Sequence, residues 1–386
     1  MTEARAVRLI WRRGRRLVLP ALGGVALTAM LIGAAQPSAS QSATTISGFT
    51  TISGFLNAVS TVSASDAWAV GDAAGPHHQP LIVHWDGTSW SRVRSPRVPD
   101  GNLYGVSMVS ASDGWAVGAY PGPHGLKLLA LHWDGTTWTK QSVFDLVQGA
   151  LYGVNMVSAS DGWAVGEEPQ RTGEDTLLLH WDGASWNPVF SAAGVLRGVS
   201  ATLGSAAGWA VGSGPQEPLL VRGKGITWMP KFGLPSEDNL LGVSVASASD
   251  AWVVGFSSPA STSQKIRTLS LHWNGTGWRR VSSPSPGRQV VGSSINGNEL
   301  VAVADTSPLD AWAVGDFTQS TGNQAALTLH WDGTAWTRVT NQGGHDGSFL
   351  RGVSMISATD GWAVGGRTST NKVLILHWNG TSWIRS

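Results

Sequence analysis

The chain has 386 residues, 42% hydrophobic and 13% charged, with a formal net charge of +1, 49 glycines, 21 tryptophans and no cysteine. That composition supports a large core and is not the composition of a disordered chain. The missing thiols exclude disulfides, thiolate catalysis and cysteine-ligated metal sites.

Residues 1–35 differ from the rest. Arg5, Arg8, Arg12, Arg13, Arg15 and Arg16 precede an uncharged run from Leu17 to Ala35 that ends in the small residues Gly33-Ala34-Ala35. A basic start, an apolar middle and a small-residue exit make an export signal, and cleavage after it is expected. Arg15-Arg16-Leu17-Val18-Leu19 is a short match to a twin-arginine signal. The competing reading is an uncleaved anchor, although Pro20, Gly23 and Gly24 weaken a spanning helix. Both readings put the remainder outside the cytoplasm, secreted or at the cell surface. The six arginines and Glu3 give this segment +5, so the remaining chain carries −4. A mildly acidic domain without a basic stripe predicts no nucleic-acid partner.

Residues 36–55 read as a linker. Within it Thr45 to Phe55 duplicates the pentapeptide Thr-Ile-Ser-Gly-Phe, which alternates and is expected to pair with the first or last repeat. From Leu56 to the end, one unit recurs seven times at a period of 43 to 60 residues. Each copy has one tryptophan just after a turn (Trp68, Trp115, Trp163, Trp209, Trp252, Trp312, Trp362) and another near its end (Trp90, Trp138, Trp186, Trp228, Trp278, Trp336, Trp383). Six copies add a His-Trp pair, at Trp85, Trp133, Trp181, Trp273, Trp331 and Trp378.

Copy two shows the elements. Residues 103–109 alternate and form strand A, and Ser110-Ala111-Ser112-Asp113 makes a turn. Strand B is Gly114-Trp115-Ala116-Val117-Gly118, and strand C is residues 128–133. Asp134-Gly135 turns the chain tightly into strand D at 137–140. Asn274-Gly275 and Asn379-Gly380 serve the same turn in copies five and seven. Four short antiparallel strands repeated seven times predict an all-β, seven-bladed β-propeller over residues 56–386. Copy four is degenerate: Ala207 replaces the turn aspartate, and Arg222-Gly223-Lys224 replaces His-Trp-Asp.

The "GWAVG … LLLHWDGTSW" pattern resembles kelch repeats of the galactose-oxidase type. It also resembles the Asp-box (BNR) propellers of sialidases and photosystem II assembly factors. It departs from kelch in having one glycine where two stand, and from a strict Asp box by one residue between Asp and Trp. Trp-Asp at the end of strand C is similar to WD repeats, without their Gly-His element. Each resemblance implies a propeller.

The interval from Leu56 to Trp68 recurs unchanged in copies two, three, five, six and seven, and the interval from Trp85 to Trp90 in all seven. The A–B and C–D turns are therefore fixed in length, while the B–C and D–A loops vary and emerge on the opposite face. Variable loops on a rigid scaffold are where binding groups gather. The candidate binding residues on them are His77, His78, His124, Glu167, Arg171, Glu174, Asp175 and His345. Imidazoles from neighbouring loops can hold a divalent metal. Exposed turns are the plainer explanation, and no metal is assigned. His84, His132, His180, His272, His330 and His377 recur with the repeat and read as structural.

No spacing selects a carboxylate pair for glycoside cleavage. Tyr104 and Tyr152 share one strand-A position and read as structural rather than as a sialidase nucleophile. Copper chemistry of the galactose-oxidase kind lacks its cysteine, and no Walker, Rossmann or zinc-protease motif occurs. The expectation is an exported, monomeric, non-catalytic propeller without a cofactor that binds a protein or carbohydrate. The alternative is a glycan-cleaving enzyme with its site at the channel mouth.

Overall fold

The computed structural model describes residues 52–386, apart from 76–77, 144–147, 171–172, 203–207, 225–226, 232, 259–264, 289–296 and 344–346. The expected export segment and most of the duplicated pentapeptide lie outside the described residues. Within them stand seven antiparallel sheets of four strands, each joined in chain order A-B-C-D, and no helix. Blade 1 consists of Gly54–Ser63, Asp66–Ala73, Gln79–Trp85 and Trp90–Val93. Blades 2 to 7 occupy 102–141, 150–190, 195–231, 238–280, 298–338 and 348–385. The A strands pack side by side around a central channel, with blade 7 against blade 1. This is a seven-bladed β-propeller.

Strands B and C read as nearly continuous apolar runs because neighbouring blades cover both their faces, as in any two-sided buried sheet. Strand D forms the outer edge. It is three to five residues long and shows only its tryptophan to the core, a short edge that limits pairing with other chains.

Tryptophan joins the blades. The strand-B indole of one blade inserts between the C and D indoles of the next. Trp68 lies 4.8 Å from Trp133 and 5.6 Å from Trp138, the latter edge-on. The last junction repeats this geometry, with Trp362 4.9 Å from Trp85 and 5.0 Å from Trp90. Tilted and edge-to-face indoles combine large apolar burial with favourable ring electrostatics. Each strand-C indole N–H also donates to the A–B turn, as Trp85 Nε1 does to the Ala64 carbonyl at 3.0 Å.

Blade 4 departs from this pattern. Gly223 replaces the C tryptophan, so Trp163 meets Trp228 alone, at 5.0 Å. Trp228 has moved into the vacant place: a Cβ on Gly223 would lie 2.6 Å from the indole. Arg222, in the histidine position, stands 5.6 Å from the ring of Trp209 and 5.0 Å from that of Trp273, bridging blades 4 and 5.

The A strands add polar clamps. A Ser or Asn side-chain oxygen accepts the backbone N–H of the next blade: Ser60 from Met108 (3.0 Å), Ser107 from Met156 (2.9 Å) and Asn155 from Ala201 (2.9 Å). Ser200, Ser244 and Ser354 do the same for Val245, Asp305 and Thr61. Ala304 has no oxygen to offer at the junction of blades 6 and 7. Residues 52–54 also bond to the last blade, with Gly54 N donating to Asn371 O (2.9 Å) and Val373 N to Ile52 O (3.2 Å).

Two stability predictions follow from these junctions. Trp115 is 2% exposed against Trp181 and Trp186, and Trp115→Ala should cost about 3–5 kcal/mol. An unchanged thermal melt would contradict that placement. Asp305 occupies the strand-A position held by Met108, Met156 and Met355 elsewhere, with Oδ2 enclosed and unpartnered. Burial, opposed by the Ser244 hydroxyl and reinforced by Asp250, pushes its carboxyl above the usual range. A raised carboxyl stabilises the fold when protonated and loses that contribution as pH rises through its folded value. Asp305→Val, the residue blade 5 carries as Val245 opposite an alanine, should therefore stabilise the fold at pH 7 by about 1 kcal/mol or more, and by less at pH 4, as thermal melts at the two pH values would show.

Candidate functional site

Each repeating histidine has a structural partner. His84 Nε2 meets Asp66 Oδ1 at 2.8 Å, and the same pair recurs as His132–Asp113, His180–Asp161, His272–Asp250, His330–Asp310 and His377–Asp360. The imidazole also lies against the strand-B tryptophan of its own blade, 4.2 Å away for Trp68. These pairs tie strand C to the A–B turn. The C–D loop is longer than a two-residue turn: Trp85 pairs across to Trp90, leaving residues 86–89 between them. Asp86 Oδ1 accepts from the backbone N–H groups of Thr88 and Ser89, and Gly87 sits at φ 91°. The Thr88 hydroxyl, first among several donors, holds the Asp86 carboxyl down at about 2. One face of the ring is thus built from repeated, internally satisfied turns.

The opposite face carries a second regularity. Every A strand has a β-bulge soon after it leaves the D–A loop, at Asn57, Tyr104, Tyr152, Arg197, Leu241, Val301 and Arg351. A bulge inserts one residue and re-aims its side chain. All of these except Arg197 line the channel-mouth cavity of about 170 Å³, and Arg197 lies 4.3 Å over the Tyr152 ring. The bulge also explains the glycine that closes each "GWAVG". A Cβ on Gly71 would lie 1.9 Å from the Phe55 carbonyl oxygen, and one on Gly118 1.8 Å from that of Asn102.

The ring is chemically uneven. Asn57 Nδ2 donates to the Leu103 carbonyl (2.8 Å) and Asn102 Oδ1 (3.1 Å). Tyr104 and Tyr152 lie 5.3 Å apart, and the Tyr152 hydroxyl donates to Glu167 Oε1 at 2.7 Å. Burial, followed by that hydrogen bond, pushes the Tyr152 phenol well above its ordinary value, and Tyr104 is raised by burial and by Asp72. Leu241 and Val301 form an apolar arc. Next to it, Arg351 Nη1 bonds Glu299 Oε1 at 2.8 Å and lies 3.5 Å from Asp316 Oδ1. Gln324 holds the other Asp316 oxygen at 2.7 Å. Burial, then the neighbouring Glu299 charge, pushes Asp316 up to about 7 against the pull of Arg351.

Of the residues expected from the loops, the described ones, His78, His124, Glu167, Glu174 and Asp175, do not form one cluster. His77, Arg171 and His345 lie outside the described residues. His78 is exposed and bonds Asp72 Oδ2 at 3.1 Å, while His124 is exposed at the tip of the blade 2 B–C hairpin. Glu167 reaches the mouth through Tyr152, but Glu174 and Asp175 sit further out on the hairpin, opposite Pro169 and Glu168. Among the described residues no three His, Asp or Glu side chains are grouped to hold a metal. Tyr104 and Tyr152, expected to be structural, are mouth residues. Their signal was available: the residue after the recurring strand-A leucine is Asn, Tyr, Tyr, Arg, Leu, Val and Arg, where the surrounding positions repeat.

No protein-family model matches the chain, and no curated protein matches it. Solved structures do. YCF48 bound to D1 peptide aligns with a TM-score of 0.55 at 15% identity, over 85% of this chain and 94% of that one. The GH74 xyloglucanase from Xanthomonas campestris aligns with a TM-score of 0.59 at 14% identity, over 87% of this chain and 55% of its own. The β-propeller domain of the trilobed protease from Pyrococcus furiosus, with its open velcro topology, gives 0.52 at 9% identity, over 85% and 96%. These likenesses show the fold. They support a propeller repeat array without selecting kelch or Asp-box repeats.

The mouth geometry carries a test. Replacing Glu299 by Gln removes the charge that helps raise Asp316, so its titration midpoint should drop below about 7. A carboxyl NMR titration showing an unmoved midpoint would contradict the pairing.

Proposed function

We propose that this is an exported, non-catalytic propeller, kelch-like or Asp-box-like in its repeat, that binds a protein or glycan through the B–C/D–A face. Residues 1–35 supply the export signal, and the chain works as a monomer at the cell surface. The observation that carries this reading is the bulge ring, because in six of the seven blades it brings a non-repeating strand-A residue to the mouth of the channel. Two tyrosines, two arginines and an apolar arc together offer stacking, charge-assisted hydrogen bonds and contact area, the residue types that dominate binding energy. A cavity of about 170 Å³ favours capture of a protruding group over enclosure of a sugar chain.

Glu299 and Asp316 are the observation that favours the glycan-cleaving alternative, since a carboxyl held near neutrality suits a general acid. Against it, the two carboxyls are cross-strand neighbours tied to one arginine, whereas glycosidase carboxyls stand about 5–10 Å apart across the bond they cleave.

The test is a screen of glycans and displayed peptides against the wild type and a Tyr104→Ala/Tyr152→Ala/Arg197→Ala variant, with polysaccharide hydrolysis followed in parallel. The expected outcome is a ligand whose affinity falls by about thirtyfold or more in a variant that keeps its melting temperature. Unchanged affinity, or hydrolysis abolished by Asp316→Asn, would overturn the reading.

A further inference from the structure

The outer rim between blades 1 and 2 departs from the repeat in a second way. The position two residues after the strand-D tryptophan is basic in five blades: Arg92, Lys140, Arg280, Arg338 and Arg385. The scaffold covers this cation in blades 2, 5 and 6. Lys140 Nζ sits 3.8 Å over Tyr120, Arg338 lies 4.5 Å over Phe317, and Arg280 grips both oxygens of Asp238. Blade 1 has Ala73 where the aromatic ring would be and Gly54 where the acid would be, so Arg92 has neither cover.

The chain that follows adds to the imbalance. Blades 1 and 5 share an Arg-Val-x-Ser-Pro segment, 92–96 and 280–284, yet Arg94 and Arg97 of blade 1 correspond to Ser282 and Ser285 of blade 5. Arg92, Arg94 and Arg97 are exposed, and among the described residues none forms an ion pair. They line two adjoining grooves of about 420 and 460 Å³ that share Val93–Pro96, and no acidic residue lines either one. The second groove runs on to Lys140 and is walled by the Thr136, Thr137 and Thr139 hydroxyls. Four cations are thus gathered along one rim of a domain whose charge beyond residue 35 is −4.

We infer that this rim groove binds an acidic glycan, a chain bearing carboxylates on its sugar rings. Guanidinium groups match carboxylates through paired, charge-assisted hydrogen bonds. Threonine hydroxyls suit sugar hydroxyls, and Val93, Pro96 and the edges of Trp133 and Trp138 offer the apolar floor on which the C–H face of a sugar ring can lie. A concave channel between blades also fits a single chain better than a flat bilayer surface. The site is separate from the channel mouth, and its variants leave every mouth residue in place.

Oligogalacturonate is the probe, titrated by calorimetry into the wild type, an Arg94→Ser/Arg97→Ser variant and an Arg279→Ser variant. The first variant installs the residues that blade 5 already carries, so its melting temperature should hold. Arg279 is an equally exposed arginine outside the groove. The expected result is saturable binding that weakens with salt, falls about tenfold or more in Arg94→Ser/Arg97→Ser, and is unchanged in Arg279→Ser. No binding, equal loss in both variants, or preference for anionic vesicles or polyglutamate over the glycan would overturn the proposal.

Discussion

The structure depends on one contact, the insertion of a strand-B indole between the C and D indoles of the following blade. No single four-stranded sheet of this size can bury its own faces, and each blade is stable only because its neighbours cover it. The contact is directional, running from one blade to the next, so a linear array would leave one blade with an uncovered B indole and another with an empty indole pair. Trp362 against Trp85 and Trp90 removes both loose ends. The Ser-to-backbone clamps of the A strands follow the same direction and include the same junction, from Ser354 to Thr61.

Closure constrains the sequence blade by blade. Strand B must be apolar throughout, strand C must bring an indole and a histidine to the A–B turn, and both turns must be short and satisfied by their own side chains. Blade 4 shows how far this can relax. Without the C indole, Trp228 shifts over Gly223 and the Arg222 guanidinium takes the place of an imidazole. The void is filled, but Trp163 keeps one indole partner instead of two.

The parts of the molecule legible in the sequence are those that recur. The tryptophan intervals gave seven blades, their strand order and the separation of a uniform face from a variable one. The first strand begins at Gly54 rather than Leu56, because Gly54 and Phe55 pair with Ala73 and Asp72 of strand B. The mouth ring was harder to read. Alternation of period two marks a strand but hides an inserted residue, so the bulge positions passed for ordinary strand-A sites, and Tyr104 and Tyr152 passed for core. The glycine closing each "GWAVG" was the trace of the bulge, since a glycine inside a strand often marks a close approach of backbone. The loop histidines were hard to place for the opposite reason. They stood outside the repeat, but nothing in their spacing fixed where B–C hairpins of unequal length would carry them.

Ring closure by the indole contacts makes a claim about which blades open first, and native-state hydrogen exchange measures it most directly. Strand-B amides of blades 1 and 7 should be as well protected as those of blades 2 and 6, with any earlier opening found at blade 4. Exchange that begins at blades 1 and 7 and spreads inward would show an open array with frayed ends, and would contradict the account.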